Sequence, residues 1–236
     1  MFWWRNEVSP GVSVAFTDAD AGNLALHVGD NPAEVMARRV LLNRAAGLAA
    51  DQFQYMDQVH GNTVEFIDAN GPGPTADAMV SAAASRVAAQ PLAVMVADCV
   101  PVVFVGSGAG NEPVIAVAHA GRPGVASAIV PATVEEMRSR GAVGIRAWLG
   151  PSICGSCYEV PEQLQADVAA RVPATRSTTS WGTPALDLPA GVRAQLAALD
   201  VPVEYSGECT LENDSLFSYR RNSRTGRFAG LVWTHD

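Results

Sequence analysis

The chain has 236 residues, of which 48% are hydrophobic and 17% charged, enough for one large domain with a substantial core. A formal charge of −8 argues against a nucleic-acid backbone or an anionic membrane as the main partner, since both need a broad basic surface. All 16 basic residues are arginine, which excludes Schiff-base chemistry and the phosphate-loop lysine.

No window approaches the roughly 18 unbroken apolar residues of a membrane span. The best, Leu92 to Val105, is interrupted by Asp98. The N-terminal stretch lacks a basic region followed by a long apolar one, so no signal peptide and a cytoplasmic location are expected. Cys99, Cys154, Cys157 and Cys209 are then expected to be thiols.

In chain order, Asn31, Pro32, Glu34 and Gly47 predict a helix with a capping box at its start and a glycine stop. Val59–Ile67, Leu92–Ala97 and Val114–Ala118 read as strands, the latter two apolar on both faces and therefore buried. Gly71–Pro74 reads as a loop. A helical stretch runs from Gly124 to Arg140, with Pro131 as a kink or restart. Further helices are expected from Pro161 to Arg171 and Pro189 to Leu199, with Ser177–Pro184 a loop between them. Leu216–Tyr219 and Phe228–Trp233 read as two strands joined by a turn. These signals predict one α/β (α+β) domain over residues 1–236 with a mixed sheet.

Two buried strands end in reactive residues: one runs into Asp98-Cys99, the other into His119 followed by Gly121. Ligands in sheets covered by helices bind at the carboxyl ends of strands. His60 sits in Gln58-Val59-His60-Gly61, where a glycine permits close backbone approach. Taken alone, a buried cysteine is usually a small hydrophobe and a histidine more often core or surface than ligand. Jointly, two histidines and a thiolate make a three-ligand zinc set with an open fourth position. Oxidases with several coppers need many histidines, and this chain has four. His27 and His235 lack comparable settings. The nucleobase-deaminase signature fails, because Gly121 stands where its glutamate belongs. The Cys154–Cys157 pair could be a redox motif or half of a second zinc site, but no second pair of suitable spacing follows.

Gln58-Val59-His60-Gly61, Asp77-Ala78-Met79-Val80, Ala97-Asp98-Cys99-Val100-Pro101-Val102 and His119-Ala120-Gly121 resemble successive signatures of one family. So do Gly150-Pro151, Cys157-Tyr158-Glu159-Val160, Leu186-Asp187-Leu188, Cys209-Thr210, Phe217-Ser218-Tyr219-Arg220-Arg221 and Thr225-Gly226-Arg227. The family is that of the YfiH-type, laccase-domain purine nucleoside phosphorylases, also called polyphenol oxidases. The resemblance runs from about Val28 to Trp233. It implies a sandwich with helices on both faces, similar to a group of cysteine hydrolases. It also implies a catalytic zinc on His60, Cys99 and His119. The implied substrates are phosphate with adenosine, inosine, guanosine or methylthioadenosine, and adenosine deamination is implied besides.

Three stretches depart from the family pattern. Arg122-Pro123-Gly124 replaces tryptophan, arginine and glycine, Cys154-Gly155-Ser156-Cys157 replaces Gly-Pro-Cys-Cys, and the N-terminal loop is short, Asp18 to Ala25. Arg39, which matches a family arginine, and Arg122 are the candidate phosphate holders. Arg122 is backed by a glycine-containing turn expected to aim N–H groups and a helix end at His119. The main rival reading is a metal-free cysteine hydrolase or amidase with Cys99 as nucleophile and His119 as base. A binding module with a structural zinc would need a fourth ligand, for which Asp98 is the obvious candidate.

Overall fold

The computed structural model describes residues 1–49, 52–84 and 87–235. Its strands are β1 (Phe2–Ser9), β2 (Val12–Thr17), β3 (Val64–Phe66), β4 (Ala78–Ala82), β5 (Leu92–Val96), β6 (Val100–Ser107), β7 (Pro113–Ala120), β8 (Val143–Leu149), β9 (Arg176–Thr178), β10 (Pro184–Leu186), β11 (Val203–Tyr205) and β12 (Phe228–Thr234). The helices are α1 (Pro32–Ala45), α2 (Arg122–Ala126), α3 (Ile129–Ser139), α4 (Glu162–Arg171) and α5 (Leu188–Ala197).

Two sheets pack face to face. One is antiparallel with order β1-β2-β12-β5; the other is mixed, with order β11-β8-β6-β7-β4-β3. Side-chain alternation explains the layers. Val12, Val14, Leu92, Val94 and Val232 from the first sheet meet Val103, Val105, Ile115, Val117 and Trp148 from the second. The alternate residues of the second sheet, such as Val102, Phe104, Ala116 and Ala118, pack under α3, α4 and α5 through Val134, Val168 and Leu196. On the far face of the first sheet, Ala93, Met95, Leu231 and Trp233 meet Leu42 of α1. The result is helix, sheet, sheet, helix, a sandwich with helices on both faces as expected. Gly150 serves this packing, since a Cβ there would lie 2.3 Å from the Phe16 ring between the sheets.

Several local expectations are corrected. The proposed strand over Val59–Ile67 is reduced to β3, because Val59, His60 and Gly61 give their N–H groups to a buried carboxylate and not to a ladder. Asn31 caps α1 by accepting from Ala33 N, while Glu34 pairs with Arg38 at 3.0 Å, so no capping box forms. The stretch from Gly124 to Arg140 is split at Ala128, which has φ +67°; Pro131 then falls in the first turn of α3, where its missing N–H costs nothing. Ser177–Pro184 includes parts of the β9–β10 hairpin. Leu216–Tyr219 is not a strand: the Arg221 guanidinium holds the region as turns by donating to the carbonyls of Thr210 at 2.9 Å, Leu211 at 3.2 Å and Leu216 at 2.5 Å. Among the described residues, no helix is long and apolar enough to cross a membrane.

Candidate metal centre

Three elements deliver the predicted cluster, and their registers say why. β7 pairs with β6 so that His119 lies opposite Pro101 and Ala120 opposite Val100. That places Cys99, one residue before β6, beside the end of β7. The chain reaches Cys99 by crossing from the first sheet to the second within a few residues. Asp98 turns that corner with φ +84°. Its carboxylate is locked on both oxygens, accepting from the Thr210 hydroxyl and from Arg220 N, each at 2.6 Å. Asp98 is therefore a corner brace, and it lies outside the ligand cluster.

His60 arrives on the loop before β3. Here the positive φ falls on His60 itself, at +61°, and not on Gly61; histidine is among the side chains that tolerate this region best. Gln58 fastens the loop by imitating a strand, donating to Met95 O at 2.7 Å and accepting from Met95 N at 2.9 Å. Close approach on the other side is granted by Gly124, where a Cβ would lie 3.1 Å from Gly61 O.

Asp77 is the residue that sequence reasoning missed. It precedes β4, whose Ala78 pairs with Ala118 of β7, so Asp77 faces His119. Fully buried, its carboxylate takes His119 Nδ1 at 2.8 Å, His60 N at 2.9 Å and Gly61 N at 2.6 Å. With Nδ1 tied to Asp77, the free nitrogen of His119 is Nε2. Burial opposes charge on Asp77, but the hydrogen bonds from His119 and Gly61 prevail and hold the carboxyl below its ordinary range. The sequence offered Asp77 only as the first residue of a family-like signature, with nothing to give it a role, since an acidic residue just before an apolar strand reads as an ordinary turn.

Ligand atoms of His60, Cys99 and His119 all lie within 4.8 Å of one another, and the two imidazole rings meet edge to face at 4.7 Å. Burial alone would raise the Cys99 thiol, yet the neighbouring His119 and His60 bring it down to about 6. Burial likewise works against a charged His119, and Cys99 with Asp77 raises it to about 9. Without a cation, a thiolate and an oriented imidazolium are therefore paired near neutral pH. Gly121 closes the cradle: a Cβ there would lie 3.0 Å from His60, 3.2 Å from the Cys99 sulfur and 3.4 Å from His119. The donor set suits a borderline-soft divalent cation with a free position, and that fit rests on chemistry and geometry together.

The cluster floors a cavity of about 820 Å³ whose wall includes Arg122, Arg220, Arg227 and Tyr158. Arg122 lies beside Tyr158, Arg220 donates to Glu159 O at 3.0 Å, and Arg227 donates to Thr225 O at 2.9 Å. α2 is only five residues long, so the helix-end field expected behind Arg122 is slight. Arg39 is not brought to the cluster. It donates to Leu24 O at 2.9 Å, stacks 3.7 Å over Tyr55 and lines a neighbouring cavity of about 550 Å³. His27, set aside in the sequence, lines both cavities; burial and Arg227 lower its pKa. His235 lies elsewhere, 2.9 Å from the Ser13 hydroxyl.

Fold and site together define a class: a four-layer sandwich with a metal-competent two-histidine, one-cysteine cluster in an arginine-lined cavity. The chain belongs to the family described as multi-copper polyphenol oxidoreductase laccase, whose model matches residues 5–235. It is 45% identical to a protein of Streptomyces griseus named purine nucleoside phosphorylase, covering 96% of each chain. It is 34% identical to the purine nucleoside phosphorylase YfiH of Escherichia coli, covering 93% of this chain and 89% of that one. Among solved structures, a Neisseria meningitidis DUF152 protein superposes with a TM-score of 0.84 at 32% identity, covering 100% of this chain and 99% of that one. YlmD from Geobacillus stearothermophilus gives 0.83 at 26% identity, covering 98% of each. The several coppers in the family's description have no matching set of histidines here: among the described residues, only His60 and His119 fall in a ligand cluster.

Proposed function

We propose that this protein is a zinc-dependent purine nucleoside phosphorylase acting on adenosine, inosine, guanosine and methylthioadenosine in the cytoplasm, with adenosine deamination as a second activity. The observation that carries the reading is the His60–Cys99–His119 cluster lying at the floor of a cavity lined by three arginines. The naming of the relatives as purine nucleoside phosphorylases supports it. A zinc ion bound there supplies fixed positive charge to polarise an oxygen ligand.

The chain's own residues do the rest. His60, Cys99 and His119 Nε2 are the metal ligands, and Asp77 holds His119 in the tautomer that leaves Nε2 free. Arg122, with Arg220 and Arg227, offers charge-assisted donors to phosphate. In phosphorolysis the bond from C1′ to the purine nitrogen breaks, a phosphate oxygen bonds C1′, and a proton ends on the leaving base. Tyr158 and Tyr219 offer aromatic faces in the same wall for that base. Incubating zinc-loaded protein with adenosine and phosphate is expected to yield adenine and ribose 1-phosphate, and inosine when phosphate is omitted. No purine release from any of the four nucleosides overturns the assignment.

Arg122 carries a finer expectation. Arg122→Ala should raise the phosphate KM about tenfold or more, the loss of one charge-assisted contact of roughly 1.5–3 kcal/mol. Zinc content and phosphate-independent deamination should hardly change. An unaltered phosphate KM assigns phosphate to Arg220 and Arg227.

One observation favours a second reading. Cys99, His119 and Asp77 also form a thiol–imidazole–carboxylate series, the arrangement of a cysteine hydrolase. It leaves His60 and the Gly121 cradle without a task, which is why the metal reading ranks first.

A further inference from the structure

Behind the cavity wall the fold gathers a second group of soft ligands. Cys154 and Cys157 lie on the turns after β8, and Cys209 and Glu212 on the turn after β11. Ligand atoms of all four lie within 4.8 Å of one another. The sequence shows the first two as an isolated pair; the partner is a single cysteine far along the chain. A parallel bridge between Ser152 and Cys209 brings them together, with Ser152 N donating to Glu208 O at 3.2 Å and Thr210 N to Ser152 O at 3.1 Å.

Two features mark the group as more than packed thiols. Cys157 and Cys209 are buried, Cys154 is half-buried and Glu212 reaches solvent, so a closed inner side meets an open entry. In addition, the Cys209 sulfur accepts the N–H of Cys154 at 3.5 Å. A backbone N–H aimed at a sulfur stabilises a thiolate and does little for a thiol. The backbone thus favours at Cys209 the thiolate form that a cation site needs.

We propose that Cys154, Cys157 and Cys209, with Glu212 as fourth ligand, hold a structural zinc ion distinct from the cluster at His60, Cys99 and His119. Three thiolates and a carboxylate form a closed tetrahedral set for a soft divalent ion and do not suit magnesium or calcium. Binding releases three thiol protons to solvent and transfers no electron. The zinc clamps the 150s turns to the 209–213 turn. Ile153 and Tyr158 of the first segment line the substrate cavity, and Thr210 of the second holds Asp98, the residue before Cys99. Its role is therefore to fix the back wall of the site. A disulfide between any two of the cysteines is the rival, and it leaves the third thiol and Glu212 without a function.

The test is metal content of the full chain, purified under reducing conditions, loaded with zinc and freed of loose metal by dialysis. Two zinc ions per chain are expected. One should remain in the triple variant His60→Ala, Cys99→Ala, His119→Ala, and one in Cys157→Ala. Should Cys157→Ala fail to fold, cobalt(II) added to the triple variant provides the second measurement, with the near-ultraviolet thiolate-to-cobalt absorption of several sulfur ligands expected. A metal-free triple variant without that absorption overturns the proposal, as does a disulfide among these cysteines in the intact mass of zinc-loaded protein. Because the readout is metal at a second position, the result does not depend on which reaction the first cluster supports.

Discussion

On the zinc phosphorylase proposal, replacing Cys99 by alanine should remove metal from the cavity floor and lower phosphorolysis by about a thousandfold or more, roughly 4 kcal/mol of transition-state stabilisation. The two losses should coincide, because the thiolate is one of the three proposed ligands in that cluster and the only anionic one. The hydrolase reading predicts a different pattern: full metal content at this site with activity gone. Metal-free wild-type protein offers a companion measurement. With the Cys99 thiol at about 6, alkylation should be slow below that pH and rise through it as the thiolate forms. It should then level off well before pH 8.5, where an unperturbed thiol reacts. Zinc should suppress the reaction. A midpoint near 8.5 would show that His60 and His119 do not act on the sulfur as placed.

How far this was readable in the sequence follows from where each signal originates. Leu92–Val96 and Val114–Ala118 could be read as buried strands because their apolar residues occupy both faces. The same pattern could not say what covers each face, so the second sheet stayed hidden: helices and strands present equally apolar surfaces. β6 was lost for a related reason, since Leu92–Val105 reads as one run with a polar break, while the chain changes sheets at Asp98. β1 resisted because it is an edge strand with Arg5, Asn6 and Glu7 exposed in its middle. Cys99 and His119 could be singled out because each ends an apolar run, and His60 because it stands beside a glycine in a polar break. Asp77 and Cys209 stood in quoted motifs but without a role, because each acquires its partner only through strand register or a bridge between distant loops.

Asp77→Asn is expected to weaken zinc binding at the His60–Cys99–His119 site by about 10–100-fold and activity at least in proportion. Asparagine matches the shape but offers one acceptor oxygen and a donor in place of the second. If its NH2 turns to His119, it pushes the proton of that ring onto Nε2, the nitrogen meant for the metal. If the NH2 turns instead to Gly61, it faces a backbone N–H now bonded at 2.6 Å, and the loop that keeps His60 at φ +61° loses its anchor. Either way a buried donor goes unsatisfied, at a cost to folding of about 1–3 kcal/mol, which scanning calorimetry should record as a lower Tm. Competition against a chromophoric chelator separates the two roles. A lower Tm with unchanged zinc affinity would make Asp77 a loop anchor alone. A loss of affinity larger than that of Gln58→Ala, which frees the same loop from Met95 without touching His119, would assign the effect to the imidazole tautomer.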